Sequence, residues 1–172
     1  MTYRQSPWVR HDWLGTAAEF HELSLSSERA LWSCSVTSPA IILGSTQQVS
    51  DVDSDVASSL GLDVVRRRSG GGAVFVHPTE SVWIDLTIPR DDPLYVDDVS
   101  ASMLWLGDVF VSALKPWVNA ETYRGSFDAG SYGRSVCFAS TSPGEVFVGD
   151  HKLVGISQRR GRDGARLQCV LY

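Results

Sequence analysis

The sequence predicts an α+β domain, a mostly antiparallel or mixed β-sheet with flanking helices. Runs rich in Val, Ile and Trp recur along the chain, bounded by Gly, Pro and Asp clusters. Only one segment carries an apolar repeat of helical period over several turns. Strands therefore dominate, with one long helix among them. With 172 residues, the chain is read as one domain over 1–172, large enough to bury about 70% of its unfolded surface.

Thr16 precedes Ala17-Ala18-Glu19-Phe20, and Glu19 completes a capping box, so a short helix starts there and ends by Leu23. Residues 30–36 and 40–43, parted by Ser38-Pro39, read as two strands. Asp53 or Ser54 caps a second short helix that Gly61 stops. Residues 63–65 and 73–76 are β segments on either side of a glycine-rich loop. Residues 81–88, ended by Pro89, have the composition of a central strand, with Asp85 either facing outward or hydrogen-bonded within it.

From Asp98 to Leu114 the residues Val99, Met103, Leu106, Phe110 and Ala113 recur at spacings of four and three. This predicts the long helix, capped by Asp97 or Asp98 and lost at Pro116. Short segments follow at 121–123 and 136–138, the second read as an apolar strand. Residues 145–148 and 152–159 flank a Gly149-Asp150 turn as a hairpin, and 161–164 turn into a last strand running to Tyr172. That strand is expected to end uncovered and apolar, which suggests a partner or a further segment over it.

A formal net charge of −5 speaks against nucleic acid or an anionic membrane as partner, since both rely on a positive field. No apolar stretch is long enough to span a membrane, and the N-terminal region, with Arg10, His11 and Asp12, lacks a signal-peptide core. A cytoplasmic location follows as the expectation. Cys34, Cys137 and Cys169 cannot all pair and show no CxxC spacing. Cys34 and Cys169 read as buried hydrophobes.

Two stretches carry chemistry: Arg66-Arg67-Arg68-Ser69-Gly70-Gly71-Gly72-Ala73-Val74 and Gly149-Asp150-His151-Lys152-Leu153-Val154-Gly155. Adjacent glycines let the backbone approach a ligand, and the arginines add charge for an anionic group. A β segment on each side makes this a strand–loop–strand cradle, distinct from a P-loop or a dinucleotide-binding turn, each of which leads into a helix. The pair looks like a site for an acyl nucleotide.

Together with Ile42-Leu43-Gly44-x-x-Gln47 and the continuation Ser157-Gln158-Arg159-Arg160, these stretches resemble a known catalytic domain. It is the one shared by lipoate–protein ligases, biotin–protein ligases and octanoyltransferases, which has a class II synthetase-like fold. The resemblance covers roughly residues 32–172, and its form is similar to the actinobacterial lipoate–protein ligase-like branch. It implies ATP-dependent activation of lipoate or octanoate as acyl-AMP, with Mg2+, and transfer to a lysine of a lipoyl carrier domain. Such carriers belong to 2-oxoacid dehydrogenases or the glycine cleavage system.

By the same resemblance Lys152 is catalytic and contacts the α-phosphate and acyl carbonyl. Arg67, Ser69, Gly70, Gly71, Gly72 and Ala73 form the substrate and nucleotide cradle. Gly149, Gly155 and Ser157 shape the lysine hairpin, and Gln47 lines the acyl end. Glu145 stands where many members carry an Asn-Asp pair, and is the candidate metal ligand. Cys137-Phe138 resembles the Cys-Phe segment of cysteine-dependent octanoyltransferases, implying an alternative route in which Cys137 takes octanoyl from acyl carrier protein. A non-catalytic acyl-binding protein is the third reading. Relatives often carry an accessory domain or a separate accessory subunit.

Overall fold

The computed structural model describes residues 7–24 and 28–172. Ten strands and three α-helices follow in the order β1 (Val9–Gly15), α1 (Ala17–Glu22), β2 (Ala30–Val36), β3 (Ala40–Leu43), α2 (Ser54–Ser59), β4 (Asp63–Arg66), β5 (Val74–Val76), β6 (Val82–Pro89), α3 (Leu104–Leu114), β7 (Glu121–Thr122), β8 (Val146–Val148), β9 (His151–Arg160) and β10 (Gly164–Leu171). They form a seven-stranded mixed sheet, β1-β2-β6-β10-β9-β8-β7, and a three-stranded sheet, β4-β3-β5. The α+β class is as the sequence predicts. The second, smaller sheet is an addition to it.

Side-chain alternation along the strands builds two cores, because successive residues of a strand point to opposite faces. On one face of the large sheet Leu86 and Ile88 of β6, Val154 and Ile156 of β9, and Leu167 and Cys169 of β10 pack with Leu106 and Phe110 of α3. On the other, Trp83 of β6 and Val170 of β10 meet Phe20 of α1 and Ile42 and Val76 of the small sheet. The large sheet is thus covered by α3 on one side, and by α1 and the small sheet on the other. The candidate site residues Arg67, Cys137, Gly155 and Ser157 lie on the second side, beside Ile42 and Trp83.

The predicted capping box is present, with Glu19 Oε2 accepting from Thr16 N at 2.7 Å and Thr16 Oγ1 accepting from Glu19 N. Asp53 caps α2. Cys34 and Cys169 are buried free thiols.

Four expectations change. Strand β1 escapes a hydrophobicity reading because it pairs only with β2, at the sheet edge, and alternates half-buried with exposed residues such as Arg10 and Asp12. The long helix begins at Leu104, after a 3-10 turn over Ala101–Met103. Asp98 Oδ1 caps that turn through Ala101 N, and the Val99 carbonyl is held by the side chains of Ser102 and Gln158. Residues Cys137–Ala139 form a 3-10 turn where an apolar strand segment was expected. Strand β10 is interior, paired with β6 and β9 on its two sides, so the last strand has no open ladder edge.

Candidate active site

The glycine loop between β4 and β5 is folded around Arg67. Its Nη1 donates to the Ile42 carbonyl at 3.0 Å, and its Nη2 to the carbonyls of Gly70 and Gly72 at 2.7 and 2.8 Å. An arginine expected to meet the ligand therefore gives one terminal nitrogen to β3 and the other to the loop, and only its Nε remains, buried without a hydrogen-bond partner. Gly71 has φ +95°, a left-handed conformation that favours glycine, and Gly70 faces open space. The N–H groups of Gly70, Gly71 and Gly72 donate to no protein acceptor among the described residues.

Gly72 presses against the segment that carries Cys137. A Cβ there would fall 2.7 Å from the Val136 carbonyl carbon and 2.8 Å from Cys137 N. Ala73 locks the contact: its N–H donates to Ser135 O at 2.8 Å and its carbonyl accepts from Cys137 N at 2.9 Å. Gln47 clamps the same junction, accepting from Gly44 N at 2.9 Å and donating to Ser135 O at 3.0 Å. It joins loops and does not line the cavity, contrary to its expected place at the acyl end.

Lys152, on β9 just past the positive-φ turn at Gly149, points inward. Its Nζ donates to Glu145 Oε1 at 2.8 Å and to the Cys137 carbonyl at 2.6 Å, and sits 5.6 Å from the centre of the Phe138 ring. The other Glu145 oxygen accepts from Ser142 N at 2.7 Å. Both Glu145 oxygens are therefore occupied by protein donors, and the described residues contain no group of three or more His, Cys, Asp or Glu able to hold a metal ion. The donor set does not fit the expected magnesium role. Burial pushes the Glu145 carboxyl up, opposed by Lys152.

Cys137, Gly155, Ser157 and Gln168 line a cavity of about 30 Å³ between the two sheets, with His21, Ile42 and Trp83 closing it. A Cβ on Gly155 would lie 3.7 Å from Cys137 Sγ, which places the thiol against the only β9 residue without a side chain at that point. Burial raises the Cys137 thiol above its ordinary value, with Lys152 and Arg67 pulling it down and Glu145 pushing it up.

A chain of hydrogen bonds forms the cavity's other wall. Ser69 Oγ donates to Gln168 Oε1 at 2.7 Å and lies 3.1 Å from Ser157 Oγ. Gln168 Nε2 donates to Asp85 Oδ2, which also accepts from Arg166 Nε at 2.6 Å, while Trp83 Nε1 donates to Asp85 Oδ1 at 2.6 Å. Asp85 is fully buried; burial raises its carboxyl, and Arg166 with the neighbouring donors opposes the rise. Sequence reasoning assigned roles to Ser69 and Ser157 but missed Gln168, Arg166 and His21. The lone acid in the apolar run 81–88 was the available signal, since a buried carboxylate requires partners.

The sequence of residues 14–172 matches the model of the lipoyl protein ligase A/B catalytic domain. The chain belongs to that family. The octanoyltransferase LipM of Moorella thermoacetica is 32% identical over 135 residues, a match covering 76% of this chain and 48% of that protein, so this chain spans about half of its length. Among solved structures, protein Ta0514 of T. acidophilum with bound lipoic acid superposes with a TM-score of 0.71 at 16% identity, covering 94% of this chain and 66% of the other. A lipoate-protein ligase A bound with ATP gives 0.70 at 18% identity, with coverages of 96% and 65%. The bi-partite lipoate protein ligase of Thermoplasma acidophilum, solved as part of a lipoylation system with its E2 lipoyl domain, gives 0.64 at 19% identity, with coverages of 94% and 59%. These structural likenesses show a common fold. Among the described residues no helix is long and apolar enough to cross a membrane.

Proposed function

We propose that the protein is a cysteine-dependent acyltransferase that moves a medium-chain acyl group of the octanoyl or lipoyl class from a thioester donor to a lysine of a lipoyl carrier domain. The observation that carries this reading is the placement of Cys137: its thiol lines the inter-sheet cavity against Gly155, and its own carbonyl holds the Lys152 ammonium. The kinship with an octanoyltransferase supports the donor class, and the fold shared with a ligase of a lipoylation system supports the acceptor.

The chemistry needs two exchanges at one sulfur. Cys137 Sγ attacks the thioester carbonyl and the donor thiolate leaves, taking the proton that the cysteine gives up. The acceptor lysine, as the free amine, then attacks the acyl-cysteine carbonyl, forming the amide and returning the thiol and its proton to Cys137. Lys152 suits the role of a fixed positive donor to both tetrahedral oxyanions. Two of its three N–H bonds are taken by Glu145 and the Cys137 carbonyl, and the third is available. The cavity, about 30 Å³, has room for a water but not for an eight-carbon chain, so acyl entry parts the small sheet from β9 and β10.

A second reading, ATP-dependent ligation of lipoate, is supported by the unshared N–H groups of Gly70, Gly71 and Gly72, which suit the oxygens of an acyl phosphate. One experiment separates the two. The protein is incubated with an apo lipoyl domain and either octanoyl–acyl carrier protein without ATP or lipoate with Mg-ATP, and intact masses are read. Carrier mass gain from the thioester, with an octanoyl adduct on this chain that disappears in Cys137→Ser, is expected. Gain only with ATP overturns the cysteine route in favour of the ligase, and undiminished transfer from the thioester by Cys137→Ser overturns it in favour of direct transfer without the cysteine.

A further inference from the structure

A concavity of about 430 Å³ lies at the edge of the large sheet, where β7 ends the strand order. Its walls include Tyr123 and Phe147, whose ring centres are 5.8 Å apart, and the carboxylates of Glu121 and Asp150. Tyr123 Oη donates to Ser126 O at 2.9 Å, which fixes its ring. Neither Glu121 nor Asp150 makes a side-chain hydrogen bond or ion pair with another described residue. Arg124, the basic side chain in the wall, is bound to Asp108 of α3 at 2.6 Å. Aromatic faces beside unpaired carboxylates suit an alkylammonium group.

Strand register ties this concavity to the nucleophile. Val146 of β8 pairs with Val154 of β9, but the next residue, Phe147, pairs with Lys152, so Leu153 is the extra residue of a β-bulge. Val154 and Ile156 face α3, and strict alternation would turn Lys152 the same way. The bulge turns it to the opposite side, where its Nζ meets the Cys137 carbonyl. Glu121 pairs in turn with Phe147, which sets Glu121, Phe147 and Lys152 in one row across three strands, about 4.8 Å apart at each step. Along β9, Gly155 and Ser157 line the acyl cavity on one side of Lys152, and the Gly149-Asp150 turn lines the concavity on the other. The contact of Lys152 with Cys137 therefore stands between two separate spaces.

We infer, resting on the acyl-transfer reading above, that this concavity receives the acceptor lysine of the carrier domain. Glu121 and Asp150 hold its ammonium against the Tyr123 and Phe147 rings as it approaches the acylated Cys137. Charge decides the occupant. The acyl chain takes the inter-sheet cavity, so the second space serves either the acceptor or the rest of the donor. A donor arm that carries a phosphate would meet two unpaired carboxylates, and like charges brought together oppose binding. A lysine side chain meets opposite charge and aromatic faces. Lys152 adds little repulsion, because Glu145 neutralises its ammonium. The acceptor ammonium gives one proton to water, and the resulting amine carries out the second exchange at Cys137.

Two measurements test this. In the first, calorimetry follows binding of an apo lipoyl domain, and of the same domain with its acceptor lysine replaced by methionine, to wild type and to the Glu121→Gln/Asp150→Asn variant, with circular dichroism confirming the fold of each. Loss of the acceptor lysine should weaken binding to wild type about fivefold or more, the scale of an ammonium held by exposed carboxylates and aromatic rings, and should leave binding to the variant unchanged. The same weakening against both proteins, or none against wild type, overturns the site. Absence of binding between wild type and the unaltered domain overturns the partner.

In the second, wild type and variant are first octanoylated on Cys137 from octanoyl–acyl carrier protein, the apo lipoyl domain is then added, and intact masses are followed with time. The lipoyl-domain concentration that gives half-maximal transfer should rise about fivefold or more in the variant, with the rate of adduct formation on Cys137 unaltered. Slower adduct formation by the variant overturns the inference in favour of a donor site, and an unaltered dependence on the lipoyl domain overturns it outright. If no adduct forms on Cys137 of wild type, the transferase reading fails. Calorimetry then still decides whether the concavity holds the acceptor lysine, which an ATP-dependent ligase also requires.

Discussion

Lys152 and Glu145 form an ion pair closed off from solvent, 2.8 Å between Nζ and Oε1, with side chains 1% and 2% exposed. Removing one member of such a pair leaves an uncompensated charge, so Glu145→Ala should destabilise the protein by about 3–5 kcal/mol in urea unfolding. The double variant Lys152→Met/Glu145→Leu should recover most of that stability and remain inactive. Lys152→Ala alone should lower acyl transfer about a hundredfold or more through loss of a transition-state donor. Wild-type turnover in Lys152→Ala would remove the lysine from the chemistry.

Gly155 tests whether the inter-sheet cavity is the acyl route. An added Cβ would sit 3.0 Å from the Phe138 ring and 3.7 Å from Cys137 Sγ, tight enough to narrow the space beside the thiol and small enough for the ring to yield. Gly155→Ala should therefore fold with near-normal stability while octanoyl adduct formation on Cys137 slows at least about tenfold, as expected when a reacting group is slightly misplaced. Normal adduct formation would place the acyl path elsewhere.

The parts of this architecture governed by local rules were legible in the sequence. Thr16 with Glu19, Asp53 before α2, and the Gly149-Asp150 turn act through neighbours a few residues away. The site was legible as a set of motifs and misjudged in its wiring. Arg67 and Gln47 carry the right chemistry to meet a ligand, yet the partners that claim them, Ile42 O and Ser135 O, lie 25 and 88 residues away in the chain. Periodicity carries no information at that range.

Gly72 packs the glycine loop against the segment that carries Cys137. Its substitution by alanine drives a Cβ against backbone atoms of Val136 and Cys137 and against the Gly133 carbonyl at 2.8 Å, none of which is the free end of a flexible side chain. Gly72→Ala should push the 133–137 segment away and break the bonds that tie Ala73 to Ser135 and Cys137. We expect a loss of about 1–3 kcal/mol of stability, together with faster alkylation of Cys137 by iodoacetamide as burial is relieved. Unchanged alkylation would show that the cradle does not set the thiol's environment.

His21 should impose a pH dependence on folding. Its ring is buried against Trp83, with Nε2 unpartnered, and burial together with Arg166, Arg67 and Arg68 lowers its pKa to about 3 from an ordinary 6.5. The unfolded chain therefore binds a proton there as pH falls through 6.5, while the folded chain does not until about 3. Stability is fully present above the unfolded value and falls as pH drops across this window, by about 1.4 kcal/mol per pH unit once below 6.5. The carboxyls raised by burial, Asp85 and Glu145, contribute with opposite sign, and Asp92 and Asp108, which are lowered, contribute with the same sign only near the carboxylate range. All four are common to wild type and His21→Gln, so the difference between the two urea stability curves isolates the histidine. That difference should be flat above pH 7 and slope between 6.5 and 4. A difference that stays constant across the range would mean that the His21 ring is protonated in the folded state as readily as in the unfolded one.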